Sequence, residues 1–374
     1  MNNEIVNKHL HIKDLLLCGL PILAFISMQY RANTMVVNAS LILTFFMLIL
    51  IWLLNISKFT ANDFLVLLIN IISITITLVF FPGMGVALNF LNLFIGFMIF
   101  NKVDFSEKAI IVTRVLLIVG ILSFFITSSF SINYNWVLFY DKNGSLINNN
   151  MVSLILVALY IHVSTLLLRK NKKWCYAIVI TLFFLCFVLI NLLACRSAML
   201  FFILYGILTL FRKKILKQHN SMRKLCITFL IVSFCIPIIF LILYNRIENF
   251  EIMGKNFFSG REQVWLQAYQ QIEISPVFGS GTEFAIKDGN RLTESTHNML
   301  LGLWKNLGIM PVVSLLFYYA LNNRPKIETN IIISIIAITS IACFESFLMD
   351  SSLYLLFLLV FPGTKNTKPI DKNM

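Results

Sequence analysis

The sequence predicts an all-α polytopic membrane protein of about twelve transmembrane helices, with one long polar segment, residues 246–306, outside the bilayer. Three observations carry this. Of the 374 residues 59% are hydrophobic and only 13% charged, against about half and about a quarter in soluble domains. Apolar runs of the roughly 20 residues that a span needs recur along almost the whole chain. The basic residues cluster in short connections between those runs, the signature of cytoplasmic loops rather than of a nucleic-acid-binding face, despite a net charge of +13.

Hydropathy places the spans near 12–30, 35–54, 63–81, 84–100, 109–130, 151–168, 174–194, 197–211, 225–244, 307–321, 331–348 and 352–362. Lys8 and Lys13 before the apolar stretch Leu15–Met28 resemble a signal peptide. No small-x-small cleavage site follows, so a retained first helix is expected. Gly120 and Pro237 lie inside spans, where both residue types are tolerated. The last segment is short for a span and also fits a re-entrant element. The seven cysteines (Cys18, Cys175, Cys186, Cys195, Cys226, Cys235, Cys343) lie in or beside apolar runs without a CxxC pair, so neither a disulfide framework nor a zinc site is expected.

Charge bias sets the orientation. Arg169, Lys170, Lys172 and Lys173 crowd one connection, and Arg212, Lys213, Lys214, Lys217, Arg223 and Lys224 crowd another two spans later. Arg324 with Lys326, the tail with Lys365, Lys368 and Lys372, and the N-terminus fall on the same side when the spans are counted. Both termini are therefore expected in the cytoplasm, and residues 1–374 form one integral membrane domain. The turn at Arg196, the segment 246–306 and the turn carrying Glu345 and Asp350 fall on the opposite face.

The polar segment holds the residues that can do chemistry. Ser259-Gly-Arg-Glu262 reads as a capping box opening a helix. Val264, Trp265, Ala268, Tyr269 and Ile272 share one face of that helix, which either lies along the outer interface with Trp265 and Tyr269 among the headgroups or packs on the bundle. Arg261, in its first turn, adds charge to the positive end of the helix dipole, an arrangement suited to an anion. Gly279-Ser-Gly281 either presents backbone N–H groups to a phosphate or forms a plain turn. Ser295 or Thr296 is placed to cap a following helix, leaving His297 in its first turn. Of the five histidines, His9, His11 and His219 fall in cytoplasmic segments and His162 within a span, which leaves His297 in the outer segment. Arg196 sits at the junction of two apolar helices, where a charge is costly and either functional or snorkelling. Two arginines and a histidine on one membrane face suit a lipid-linked phosphate or pyrophosphate, because guanidinium binds phosphate oxygens bidentately and stays charged. Where a hydroxyl group is to be deprotonated, His297 is the candidate base, with Glu262 or Glu294 as substitutes. No DxD, HxxxH or HExxH pattern indicates a metal ion, and no cofactor is implied.

Arg196-Ser, Gly260-Arg261-Glu-Gln-Val-Trp265, Ser275-Pro276-Val-Phe-Gly279-Ser-Gly281, and Thr296-His297-Asn298 with Gly308 beyond, taken in this order, resemble the O-antigen polymerase/ligase superfamily of bacterial inner membranes. The resemblance implies a metal-independent glycosyltransferase of the GT-C type with a large periplasmic loop containing short helices. It implies undecaprenyl-pyrophosphate-linked glycans as substrates. Arg196, Arg261, Gly279 and Gly281 would then serve the pyrophosphate, His297 the acceptor, and Trp265 and Asn298 the acceptor or interface. The forms Gly-Arg-Glu-x-x-Trp and Thr-His-Asn look more like polymerases, which join lipid-linked repeat units, than like ligases, which transfer the chain to lipid A–core. A chain-length regulator and a flippase of the same pathway are the implied protein partners. A flippase is itself the rival class for this chain, but its expected mid-bilayer charges are not evident: nearly all charges lie at span ends.

Overall fold

The computed structural model describes residues 12–81, 83–133, 136–141, 144, 146–170, 172–211, 228, 231–232, 235–239, 242, 251–252, 255–256, 261–282, 286–288, 291–293, 296–321, 329–342, 344–345 and 350–362. The apolar runs form α1 (Ile12–Gln29), α2 (Thr34–Leu54), α3 (Ala61–Phe80), α4 (Met84–Lys102), α5 (Glu107–Thr127), α6 (Asn149–Leu168), α7 (Lys173–Leu192) and α8 (Arg196–Leu210). Polar caps decide where several of them begin. Asn33 accepts from the backbone N–H groups of Met35 and Val36 to start α2, Ser106 accepts from Ala109 to start α5, and Thr60 with Asp63 forms a capping box on α3.

Among the described residues α1 to α7 are long and apolar enough to cross a membrane, and α8 and a later stretch, Ile333–Ala342, are shorter apolar helices. The chain is thus an all-α, multi-pass membrane protein. Helix α6 is buried on nearly every face and packs on α5, α7 and α8. Helix α1 packs between α2 and α5, and α2 packs on α4. The outer faces carry exposed apolar side chains, such as Phe46 on α2 and Ile180, Phe184 and Val188 on α7. Contiguous apolar surface of this kind is the face a bilayer covers.

The later spans depart from the hydropathy expectation. Span 225–244 and the basic connection before it lie mostly outside the described residues, as do Arg324, Lys326 and the basic tail. The expected span at 307–321 starts after a break at Gly308: α10 (Met299–Leu307) precedes α11 (Ile309–Leu321). Helix α12 (Thr329–Ala342) packs against α8 and ends before a turn at Phe344 and Glu345. The final apolar stretch contains a five-residue helix, α13 (Tyr354–Leu358), with every residue from Leu353 to Val360 buried against α1, α4 and α6. A helix of five residues is too short to cross a bilayer by itself. Its carbonyl end lies inside protein, where bare C=O groups are costly. His162 Nε2 lies 2.8 Å from Leu356 O, and Arg114 donates to Val360 O at 3.3 Å. Arg114 therefore places a charge within α5, away from the span ends where the sequence puts the others. Gly96 leaves room for the element, since a Cβ there would stand 2.6 Å from Leu358 Cδ2.

The connection between α5 and α6 holds a small antiparallel sheet that hydropathy does not reveal: β1 (Ser129–Asn133), β2 (Trp136–Tyr140) and β3 (Leu146–Ile147), with Phe130 opposite Phe139. Two short hairpins, β4 (Glu251–Ile252) with β5 (Lys255–Asn256) and β6 (Ile286–Asp288) with β7 (Arg291–Thr293), lie in the long polar segment. Helix α9 (Arg261–Ile274) buries Val264, Trp265, Ala268 and Ile272 against Ile286 and Leu301 in a second, smaller core. Trp265 is 1% exposed, so it does not sit among headgroups; Tyr269 is half-buried beside Trp304. Burying one face of α9 on neighbouring elements removes more apolar area from water than laying it on an interface.

The bundle ends differ. At one end Lys58 pairs with Asp104 at 3.6 Å, Lys102 pairs with Asp63, and Lys13 donates to Asp104 O. At the other end the loops around Arg31, Gly83, β1–β3, Arg196, α9, α10 and Glu345 meet.

Candidate functional site

At that second end three elements converge on Glu345, which follows α12 and is 6% exposed. Arg261, the first residue of α9, donates NH2 to Glu345 Oε1 at 2.9 Å. Ser197, in the first turn of α8, donates its hydroxyl to the same oxygen at 3.1 Å, and Asn150, at the start of α6, donates its amide at 3.2 Å. His297 Nδ1 stands 3.7 Å from the other oxygen, Oε2, at ion-pair rather than hydrogen-bond distance. Burial alone would raise the Glu345 carboxyl, but the nearby His297, the Arg261 guanidinium and the Ser197 hydroxyl outweigh it and hold the group below its ordinary range. Glu345 is therefore the anionic centre of the site. The sequence shows it only as an acidic residue at the end of an apolar run on the outer face.

His297 is held from both sides. Thr296 and Asn298 are fully buried; Trp265 Nε1 donates to Thr296 O at 2.9 Å, and Thr296 Oγ1 donates to Asn298 O at 2.7 Å. Asn298 is the N-cap of α10, accepting from Leu301 N at 2.9 Å. This corrects two expectations: the cap is Asn298 rather than Ser295 or Thr296, and His297 precedes the helix instead of lying in its first turn. Asn298 and Trp265 shape the loop from inside the protein and present no interface. His297 itself adopts φ +51°, a left-handed conformation uncommon for a side-chain-bearing residue, with 22% of its side chain exposed. Such strain costs about 1–3 kcal/mol and persists where the surroundings over-determine it.

Arg196 opens α8 after a turn in which Ala194 also has φ +51°. It is half-buried and close enough to Arg261 for the two like charges to repel. Two guanidinium groups held this close repel each other, a strain that a bound anion would relieve.

The Gly279-Ser-Gly281 strap does something other than cradle a phosphate. Gly279 N donates to Ser275 O, Ser280 N to Lys305 O at 2.7 Å, and Gly281 N to Asn306 O at 3.1 Å. The Ser280 and Gly281 N–H groups thus satisfy carbonyls left open at the C-terminus of α10. Trp304 Nε1 and Ile309 N both donate to Pro276 O, stitching the strap along the helix. The close approach demands glycine twice. A Cβ on Gly279 (φ +75°) would stand 2.5 Å from Gly308 N, and one on Gly308 (φ +84°) would stand 1.9 Å from Val277 O. Glu262 is buried in the first turn of α9 and is not among the groups that meet Glu345. Glu294 lies outside the described residues.

Of the residues singled out from the sequence, the structure brings Arg196, Arg261 and His297 together and supplies Glu345, Ser197 and Asn150 around them. It gives Gly279, Gly281, Trp265 and Asn298 supporting work. Residues 181–316 match a family model described as O-antigen ligase, a stretch that contains Arg196, Arg261 and His297 and ends inside α11. The match supports the O-antigen polymerase/ligase superfamily and does not distinguish polymerase from ligase. Neither curated proteins nor solved structures gave a match.

Proposed function

We propose, taking the O-antigen polymerase/ligase superfamily as premise, that this multi-pass membrane enzyme is an O-antigen polymerase of the bacterial inner membrane. It would transfer a growing glycan from undecaprenyl pyrophosphate to a sugar hydroxyl of the next lipid-linked repeat unit. The site faces the periplasm in this reading, and both termini face the cytoplasm, which the positive-inside bias of the basic connections supports. The observation that carries it is the meeting of Arg261 and His297 on the buried Glu345, with Arg196 close to Arg261.

The chemistry follows from that arrangement. The bond between the sugar's anomeric carbon and the pyrophosphate oxygen breaks, and charge grows on the leaving group. Arg196 and Arg261 are placed to stabilise it. Arg261 already spends NH2 on Glu345, so the carboxylate fixes its guanidinium in orientation before substrate arrives. The acceptor hydroxyl attacks the anomeric carbon and loses its proton to His297. With Nδ1 turned toward Glu345, Nε2 is the nitrogen that takes the proton, and the carboxylate stabilises the resulting imidazolium. No covalent enzyme intermediate is required, because pyrophosphate is already a competent leaving group.

The description of the matched family model favours a second reading, a ligase that hands the finished chain to lipid A–core. The two acceptors differ, so a deletion strain separates them. Lipopolysaccharide bearing core plus a single repeat unit supports the polymerase. Bare core refutes it, in favour of the ligase or of an earlier block in the pathway.

A further inference from the structure

Beside the Glu345 cluster, at the same end of the bundle, lies an open cavity of about 630 Å³ that the mechanism above does not use. Its polar lining comes from Arg31, Asn89, Thr282, Asp350, Ser351 and Ser352. It adjoins the site through the chain itself. Met151 lines it and follows Asn150, which donates to Glu345, while Asp350 lies on the same connection as Glu345. Thr282 follows directly on the Gly279–Gly281 strap.

The lining is ordered and electrically balanced. Arg31 donates to Leu146 O at 3.0 Å and to Met151 Sδ, and its charge lies within reach of Asp141 and Asp350. Asn89 donates to Ser351 Oγ at 2.7 Å, Ser27 donates to Ser351 O at 3.1 Å, and Asp350 Oδ1 accepts from Ser352 N at 2.7 Å and Ser352 Oγ at 2.5 Å. A guanidinium already balanced by carboxylates gives a free phosphate little to bind, and Asp350 repels one. The same set of carboxylate, amide and hydroxyl groups offers both donors and acceptors, which is what a neutral polyol needs. The volume falls in the range of about 300–1,000 Å³ usual for organic ligands.

We infer that this cavity is a glycan subsite, holding sugar residues of a lipid-linked substrate while the arginine cluster holds its pyrophosphate, with Asp350 determining which sugar fits. The inference rests on the proposed glycosyl transfer and deepens it. It separates recognition of the sugar from recognition of the phosphate, along the two sides of one turn.

The test uses the full-length protein in detergent and two probes, measured by calorimetry. One probe is the oligosaccharide released by mild acid from the lipid-linked repeat unit of the producing cells; the other is inorganic pyrophosphate. Asp350→Asn keeps an acceptor oxygen for the Ser352 turn but loses the charge. Met84→Trp, at an exposed lining position, fills the mouth without touching the core. Both variants are expected to weaken oligosaccharide binding at least tenfold and to leave pyrophosphate binding unchanged. Wild-type oligosaccharide affinity in both variants overturns the inference, as does competition between the two probes for one site. Wild-type protein that binds pyrophosphate but no oligosaccharide also overturns it. Wild-type protein that binds the oligosaccharide but no pyrophosphate refutes the arginine assignment under the proposed function and leaves the glycan subsite standing.

Discussion

Replacing Glu345 by glutamine probes the centre of the site with almost no change in shape. The carboxylate accepts from Arg261, Ser197 and Asn150 through Oε1 and faces His297 through Oε2. An amide can keep its oxygen where Oε1 is, so these three donors keep an acceptor. The guanidinium keeps its charge, so the hydrogen bond from Arg261 stays charge-assisted, and what is lost is the Coulomb attraction of the ion pair. A loss of about 1–2 kcal/mol of stability follows, visible as a modest fall in the thermal transition. The catalytic loss is larger. The amide NH2 now faces His297 Nδ1 and selects the tautomer with the proton on Nε2, which cannot take another from the acceptor. Loss of a general base lowers rate by about 10²–10⁴-fold. Glu345→Ala is harsher on folding, because it strips Arg261 of its carboxylate. Breaking a buried pair costs about 3–5 kcal/mol, and the 16% exposure of the Arg261 side chain places this one at the lower end. The assay is repeat-unit transfer by purified protein in nanodiscs, with kcat and KM separated and the thermal transition followed by tryptophan fluorescence. A Glu345→Gln enzyme with wild-type kcat would refute Glu345 as the group that orients His297.

Four other outcomes are expected. His297→Gln should be nearly as inactive as His297→Ala in the same assay; near wild-type polymer from His297→Gln means that a neutral hydrogen bond suffices and the base lies elsewhere. The lowered Glu345 carboxyl contributes stability that is present above the ordinary carboxylate value of about 4.3 and is lost as pH falls through its lower folded value. Wild-type stability should therefore fall more steeply than that of Glu345→Gln only below about pH 4, as measured by thermal melts across acid buffers. Gly308→Ala, with its Cβ at 1.9 Å from Val277 O, should cost at least about 3 kcal/mol or prevent accumulation of folded protein in membranes. Cysteine at position 287 should react with a membrane-impermeant thiol reagent from the periplasm and cysteine at 172 should not; reversed labelling overturns the orientation.

Much of the bundle is legible in the sequence because hydropathy and capping are local. The runs that became α1 to α8 start and stop within a few residues of where the apolar stretches do, and Asn33, Ser106 and Thr60 mark three of the starts. The later chain is less legible for a definite reason. Leu353 to Val360 are as apolar as any span, yet they are buried among α1, α4 and α6 because His162 and Arg114 meet the carbonyls of a helix too short to cross a bilayer. Trp265 is similar. Its spacing on α9 shows an apolar face, but spacing does not tell whether that face meets lipid or the Ile286 and Leu301 side chains.

From the sequence alone came the polytopic class, the clustering of basic residues in short connections, and the placing of Arg196, Arg261 and His297 on a common face, since each depends only on composition and order along the chain. The tertiary structure alone decided what those residues meet. Glu345 lies 84 residues from Arg261, 148 from Ser197 and 195 from Asn150, and a carboxylate's partners at such separations are set by how helices pack, not by any local pattern. The same packing turned the Ser280 and Gly281 N–H groups toward the end of α10, where the open carbonyls of Lys305 and Asn306 need donors.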